Sequence, residues 1–175
     1  MRLASTILGL AALFACAYWV VVATLPTHRK VIDRSVLPNS VRAAMKKHEA
    51  RGGYYIWGSN DCSIFVLDYM KASGAKVKRR YTTKDLYDPD VMQKVGYEVS
   101  EIPEVGDIVV FRYTSRRPAG HCGIVVRQGD DLHVVHNAES GLGIVMESLD
   151  SFYNRAEILG APRQSLRFFK ASSDR

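Results

Sequence analysis

His121-Cys122-Gly123-Ile124-Val125-Val126-Arg127-Gln128-Gly129-Asp130-Asp131-Leu132-His133-Val134-Val135-His136 is the stretch on which the fold turns. Its two halves, 121–126 and 132–136, have the period of two that marks strands, and Gln128 to Asp131 reads as a tight turn. Strands joined so closely pair antiparallel. On either side, Asp107 to Phe111 and Ile144 to Glu147 read as further strands, so a sheet fills the C-terminal half. Upstream the period is helical. Asn39 or Ser40 is placed to cap a helix through Val41 to His48, stopped by Gly52-Gly53. Asp61 is placed to cap a second, Cys62 to Ser73, stopped by Gly74 and carrying Phe65, Val66, Tyr69 and Met70 at helical spacing. A short helix is expected near Thr83 to Tyr87. Helices first and strands afterwards give an α+β domain, with helices packed on a mainly antiparallel sheet.

The chain of 175 residues is 47% hydrophobic and 24% charged, which excludes collagen-like and disordered classes and suits one globular domain. It contains no internal repeat, so solenoids and propellers are excluded. The net charge of +6, from 24 Lys+Arg against 18 Asp+Glu, favours anionic neighbours. Lys76, Lys78, Arg79 and Arg80 form the one dense basic cluster, with only Tyr81 beside it, and read as a solvated face, with the holding of an acidic substrate as the alternative. No longer basic run is interleaved with aromatics, so nucleic acid is not an expected partner. Cys16, Cys62 and Cys122 show no CxxC spacing and form neither a disulfide framework nor a structural zinc site. A Cys62–Cys122 bridge is the pairing left open to an oxidising compartment.

Residues 1–30 read as a signal peptide or membrane anchor with a basic flank. Residues 3–25 carry no charge, follow Arg2, and are long enough to cross a bilayer as one hydrophobic helix. A signal peptide opens the same way, and Val21-Val22-Ala23 offers a cleavage site. Lipidation at Cys16 is the third alternative. Positive charge after the segment exceeds that before it, so the outward orientation leans on the chemistry below. Residues 31–39 read as a linker and 40–170 as the folded domain. The expected location is the cell envelope, either anchored or secreted.

Cys62, His121 and His136 are the candidate chemistry. A nucleophilic thiol must ionise near neutral pH, and a helix N-terminus favours the thiolate through the aligned peptide dipoles and unpaired amides. Asp61-Cys62-Ser63 puts the sulfur there, where the same amides can hold an oxyanion. A base must lie within reach, and a third group must fix its tautomer. His121 opens one strand and His136 comes one hairpin later. Alternation puts His121, Gly123 and Val125 on one face and Cys122 on the other; Leu132, Val134 and His136 share a face that His133 and Asn137 do not. His136 is preferred as the third residue, with His133 and Asn137 as substitutes. Cys122 reads as an inert strand residue, and His28 and His48 as surface residues. The chemistry needs no metal or organic cofactor.

Tyr55-Ile56-Trp57-Gly58 followed by Asp61-Cys62-Ser63 resembles the Tyr-x-Trp-Gly and Asp-Cys-Ser block of NlpC-type papain-like cell-wall cysteine peptidases. Thr82-Thr83 after Arg80 resembles that family's Arg-Thr-Thr/Ser segment. Pro103 to Phe111 is similar to its Pro-Gly-Asp-Leu-Val-Phe-Phe strand. Gly120-His121-Cys122-Gly123-Ile124-Val125 resembles its Gly-His-Val-Gly-Ile-Tyr strand. Val134-Val135-His136-Asn137-Ala138 resembles its Phe-Ile-His-Ala segment, and Ile158 to Arg163 its closing strand. The resemblance spans roughly residues 40–165. It implies a papain-like fold in which Cys62 is the nucleophile, His121 the general base and acid, and His136 the orienting residue. Tyr55 would help hold the oxyanion, with Asp61 and Ser63 flanking the same substrate-side position. It also implies peptidoglycan stem peptides as substrate, an anionic polymer outside the cytoplasm. The chain is expected to act as a monomer. Ile64 departs from the family's small residue and is expected to narrow the groove or alter helix packing. A catalytically silent envelope-tethered binding module and an acyl transferase with the same three residues are the competing readings.

Overall fold

The computed structural model describes residues 32–113, 120–138, 143–158, 160–162 and 165–172. The signal or anchor segment expected over 3–25, with Cys16 and His28, lies outside the described residues. Among the described residues no helix is long and apolar enough to cross a membrane.

A short 3₁₀ turn, Arg34–Val36, capped by Asp33, leads into helix α1, Asn39–Ala50. Pro38, at φ −54°, stands in the cap position of α1, and no side chain caps the helix. The expected cap from Asn39 or Ser40 is therefore replaced by proline's fixed backbone, and the Asn39 side chain instead accepts from Arg42. Val41, Ala44, Met45 and His48 form the buried stripe of α1. His48 is only 1% exposed, which corrects its reading as a surface residue: it occupies the next position on that stripe.

Helix α2, Cys62–Ala72, is capped by Asp61, whose carboxylate accepts from the Ile64 amide at 3.0 Å. Two short helices follow, α3 at Thr83–Leu86 with a capping box from Thr82 and Asp85, and α4 at Pro89–Gln93. The strands are β1 Tyr97–Ser100, β2 Ile108–Arg112, β3 Gly120–Gln128, β4 Asp131–Ala138 and β5 Gly143–Ser148. Helix α5, Leu149–Ile158, and strand β6, Arg167–Ala171, follow. Among the described residues the six strands form one antiparallel sheet in the order β1-β6-β2-β3-β4-β5. Gln128 pairs with Asp131 across a two-residue turn whose Gly129 has φ +62°, as the hairpin expectation requires.

Both faces of the central strands are covered. Val110, Cys122, Ile124 and Val135 face α1 and α2, while Val109, Phe111, Val125 and Val134 face Phe152 and Ala156 of α5. Ile108-Val109-Val110-Phe111 is apolar throughout for that reason. The segment from Ile158 does not make the closing strand that the resemblance suggested. Ile158 ends α5, whose Phe152 and Ala156 recur at helical spacing, and β6 at Arg167–Ala171 inserts between β1 and β2.

Candidate active site

The approach to Cys62 is held from several sides. Asn60 accepts from Arg51 Nε at 2.9 Å, lies 2.9 Å from His48 Nδ1, and donates to the Tyr54 carbonyl at 2.7 Å. Asn137 donates to the Asn60 carbonyl at 2.6 Å. Asp61 spends its carboxylate on the loop and helix. It accepts from the Gly58 amide at 2.9 Å, the Ser63 hydroxyl at 2.6 Å and Arg80 at 3.3 Å, besides the Ile64 amide. The Arg80 guanidinium also donates to the Gly58 carbonyl. Asp61 and Ser63 are thus both buried and committed to this scaffold. Arg80 belongs to it as well, which goes beyond its reading as part of a solvated face.

Cys62 is the first residue of α2, so its amide and that of Ser63 have no partner inside the helix. Cys62, 4% exposed, borders a cleft of about 260 Å³ lined also by Tyr55, Trp57, Arg80, Thr83 and Lys84. Ile64 packs against the core and is not among the cleft's lining residues. The Cys122 thiol, hydrogen-bonded to Cys62, holds the Cys62 pKa well below the usual thiol value. Burial opposes that shift, and the charge and hydrogen bond of His121 add to it. Burial pushes the Cys122 thiol well up, so Cys122 keeps its proton and donates it. Both cysteines are free, and the bridge between them that the sequence left open is not formed. Cys122 is not the inert residue it seemed, because the strand face opposite His121 is the face on which α2 packs.

His121 is the second residue of β3 and pairs with Phe111; the Gly120 amide before it donates to the Thr83 hydroxyl at 3.1 Å. Its Nε2 lies 2.8 Å from Nδ1 of His136. The two rings meet edge to face, with centroids 4.8 Å apart. Of the three alternatives for a third residue, His136 is the one that meets His121. His133 lies 3.4 Å from the Asp131 carbonyl, and Asn137 faces Asn60 and His48 on the other side of the sheet. Phe152 flanks both imidazoles, at centroid distances of 5.9 Å from His121 and 5.3 Å from His136.

The sequence reading missed the residues behind His136. His136 Nε2 lies 2.8 Å from Glu147 Oε1, and Arg155 donates to the same carboxylate through Nε at 2.8 Å and Nη2 at 3.0 Å. Burial drives the His136 pKa down to about 4, so its ring is neutral at pH 7. Burial alone would raise Glu147, but hydrogen bonds from His136 and Arg155 outweigh it and hold the carboxyl at about 2. The available signal was a lone carboxylate ending the apolar run Ile144-Val145-Met146 on an edge strand.

A family model described as the NlpC/P60 family matches residues 52–163. Two solved structures of Ly7917, one described as being with the hydrolyzing product of MDP, are similar to this chain. Each is 21% identical over 75% of this chain, with TM-scores of 0.45 and 0.46. The chain spans 62% of the length of those structures. No curated protein matches it.

Proposed function

The chain belongs to the NlpC/P60 family, and from that premise we propose that it is a cell-wall hydrolase, a cysteine peptidase that cleaves amide bonds in peptidoglycan stem peptides. The observation that carries this reading is the placing of the Cys62 sulfur at the tip of α2, beside His121 and with its pKa held down. The Cys62 thiolate attacks the amide carbonyl carbon, forming a C–S bond. The carbonyl oxygen takes up the negative charge within reach of the first-turn amides and of Tyr55 at the cleft wall. Collapse breaks the C–N bond, and the His121 imidazolium gives its proton to the leaving amine. A thioester remains. Water, deprotonated by His121, then attacks its carbonyl carbon. The C–S bond breaks, and the acid product and the Cys62 thiolate are released. His136 keeps the His121 ring aimed at the sulfur.

The basic net charge of the chain fits an anionic polymer, and the envelope is the corresponding location. Residues 3–25 would export or anchor the enzyme. The test is digestion of purified peptidoglycan followed by mass spectrometry of the released fragments. The wild-type chain is expected to free stem-peptide fragments, and Cys62→Ala to abolish release while the circular dichroism spectrum is unchanged. Release by Cys62→Ala at the wild-type rate would overturn the reading.

A further inference from the structure

Glu147 is buried in part against His136, on a strand that the reaction as described does not use. We propose that Glu147, anchored by Arg155, is a positioning residue that fixes His136 in its Nε2–H tautomer and so keeps His121 in the form able to take the Cys62 proton. The inference rests on the reading of Cys62 and His121 as the reacting pair.

The ring hydrogens are fixed by their partners. An ionised carboxylate has only lone pairs to offer, so the hydrogen in the 2.8 Å contact belongs to His136 Nε2. His136 is neutral and carries one ring hydrogen, which leaves Nδ1 bare. The 2.8 Å contact with His121 must then use a hydrogen on His121 Nε2. The remaining His121 nitrogen, Nδ1, is left bare to accept from the sulfur. Each assignment forces the next, and the carboxylate starts the sequence. Remove it, and His136 is free to place its hydrogen on Nδ1. His121 must then hold its own hydrogen on Nδ1 and present a bare Nε2 to His136, a form that cannot accept from the thiol.

Charge works in the same direction. Once His121 is protonated, the Glu147 carboxylate is an anion one ring away, across His136. The other charged or titratable groups facing these rings and the sulfur are Arg155 from α5, Cys122 from β3, and Asp61 with its partner Arg80. Two-point donation from Arg155 holds the carboxylate plane still, which a lone exposed glutamate on an edge strand would not achieve.

Two measurements on the full chain test this without any substrate. Nitrogen chemical shifts of 15N-histidine-labelled wild type report the tautomer of His136 directly, and Nε2–H is expected at pH 7. Finding Nδ1–H there would overturn the proposal even if every variant failed to fold. The second is the pH dependence of iodoacetamide alkylation, with the modified cysteine located by peptide mass spectrometry. In Glu147→Ala the midpoint for Cys62 is expected to rise by about half to one pH unit, slowing alkylation at pH 7 roughly three- to tenfold. Glu147→Asp, which keeps the charge, is expected to recover at least half of that shift. A purely structural role would leave the midpoint of a folded Glu147→Ala chain where wild type has it, and that result would also overturn the proposal. Failure to digest peptidoglycan, with the midpoint shifted, would sink the hydrolase reading and leave the tautomer assignment standing.

Discussion

Gly123 has no room for a side chain. A Cβ built there would lie 2.4 Å from Cγ1 of Val134 and 3.0 Å from both the Val135 carbonyl oxygen and the His136 Cβ. Gly120 is as crowded, at 2.0 Å from the Phe111 carbonyl oxygen. The glycines on either side of His121 are therefore the condition for β3 to lie close against β2 and β4, which is what brings the two imidazoles within 2.8 Å. Gly123→Ala is expected to push β4 away and take His136 with it. Overpacking of this kind costs about 1–3 kcal/mol, and a base displaced by about 1 Å costs on the order of a hundredfold in rate. Thermal unfolding should register a modest loss and peptidoglycan digestion a near-complete one. A variant that unfolds earlier but digests at the wild-type rate would contradict the claim that β3–β4 closeness positions the rings. Closeness between strands is not written in the sequence of either one. Cys62 at a helix start and His121 at a strand start are local patterns and were visible. Which of His133, His136 and Asn137 meets His121 depends on how two strands register and which face each helix covers, and no local pattern contains that.

Helix α5 is the element that closes the back of the site. Phe152 is fully buried, packs against Phe111 at 5.5 Å, and flanks both histidines, while Arg155 one turn later reaches Glu147. Phe152→Ala removes a large buried ring and leaves a cavity beside the imidazoles. A loss of about 3–5 kcal/mol is expected, read as a lowered denaturant midpoint, together with weaker alkylation of Cys62. Full reactivity at Cys62 in a destabilised but folded variant would show that α5 supports the sheet without steadying the rings. The helix escaped the sequence reading because the segment following it resembled a strand, although Phe152 and Ala156 carry the helical repeat. Strands β1 and β6 escaped for a different reason. Each is only a few residues long; β1 pairs with β6 across about 70 positions of chain, and β6 pairs with β2 across about 60. Their stability comes from neighbours that composition does not reveal. The helix through Val41 to His48, the short helix near Thr83 and the strands around Val109 and Val145 are found where the sequence puts them, and α2 and the β3–β4 hairpin also have their cap and turn written within the segment itself: Asp61 before Cys62, and Gly129 at φ +62°.

At the scale of the whole domain, the buried His136–Glu147 pair makes folding sensitive to acid. His136 titrates at about 4 when folded against 6.5 when exposed, so between those values the unfolded chain binds the additional proton and stability falls as pH falls. The full shift corresponds to about 3 kcal/mol. Glu147 acts over a lower window: its folded value of about 2 against 4.5 contributes stability above pH 4.5 that is lost as pH drops through 4.5 toward 2. The two losses have the same sign and share one hydrogen bond, so they overlap rather than add. The melting temperature is expected to be flat near pH 7, to decline from about pH 6.5, and to keep declining to the lowest pH at which the chain folds. His136→Gln, which has no proton to gain in this range, should flatten the portion between pH 6.5 and 4. Should His136→Gln and wild type lose melting temperature in parallel across that interval, the buried neutral ring is not what makes the domain acid-sensitive. That portion of the curve would then have to be assigned to other groups, and not to Asp107, whose carboxyl is pushed up by burial and so favours the folded chain as pH falls.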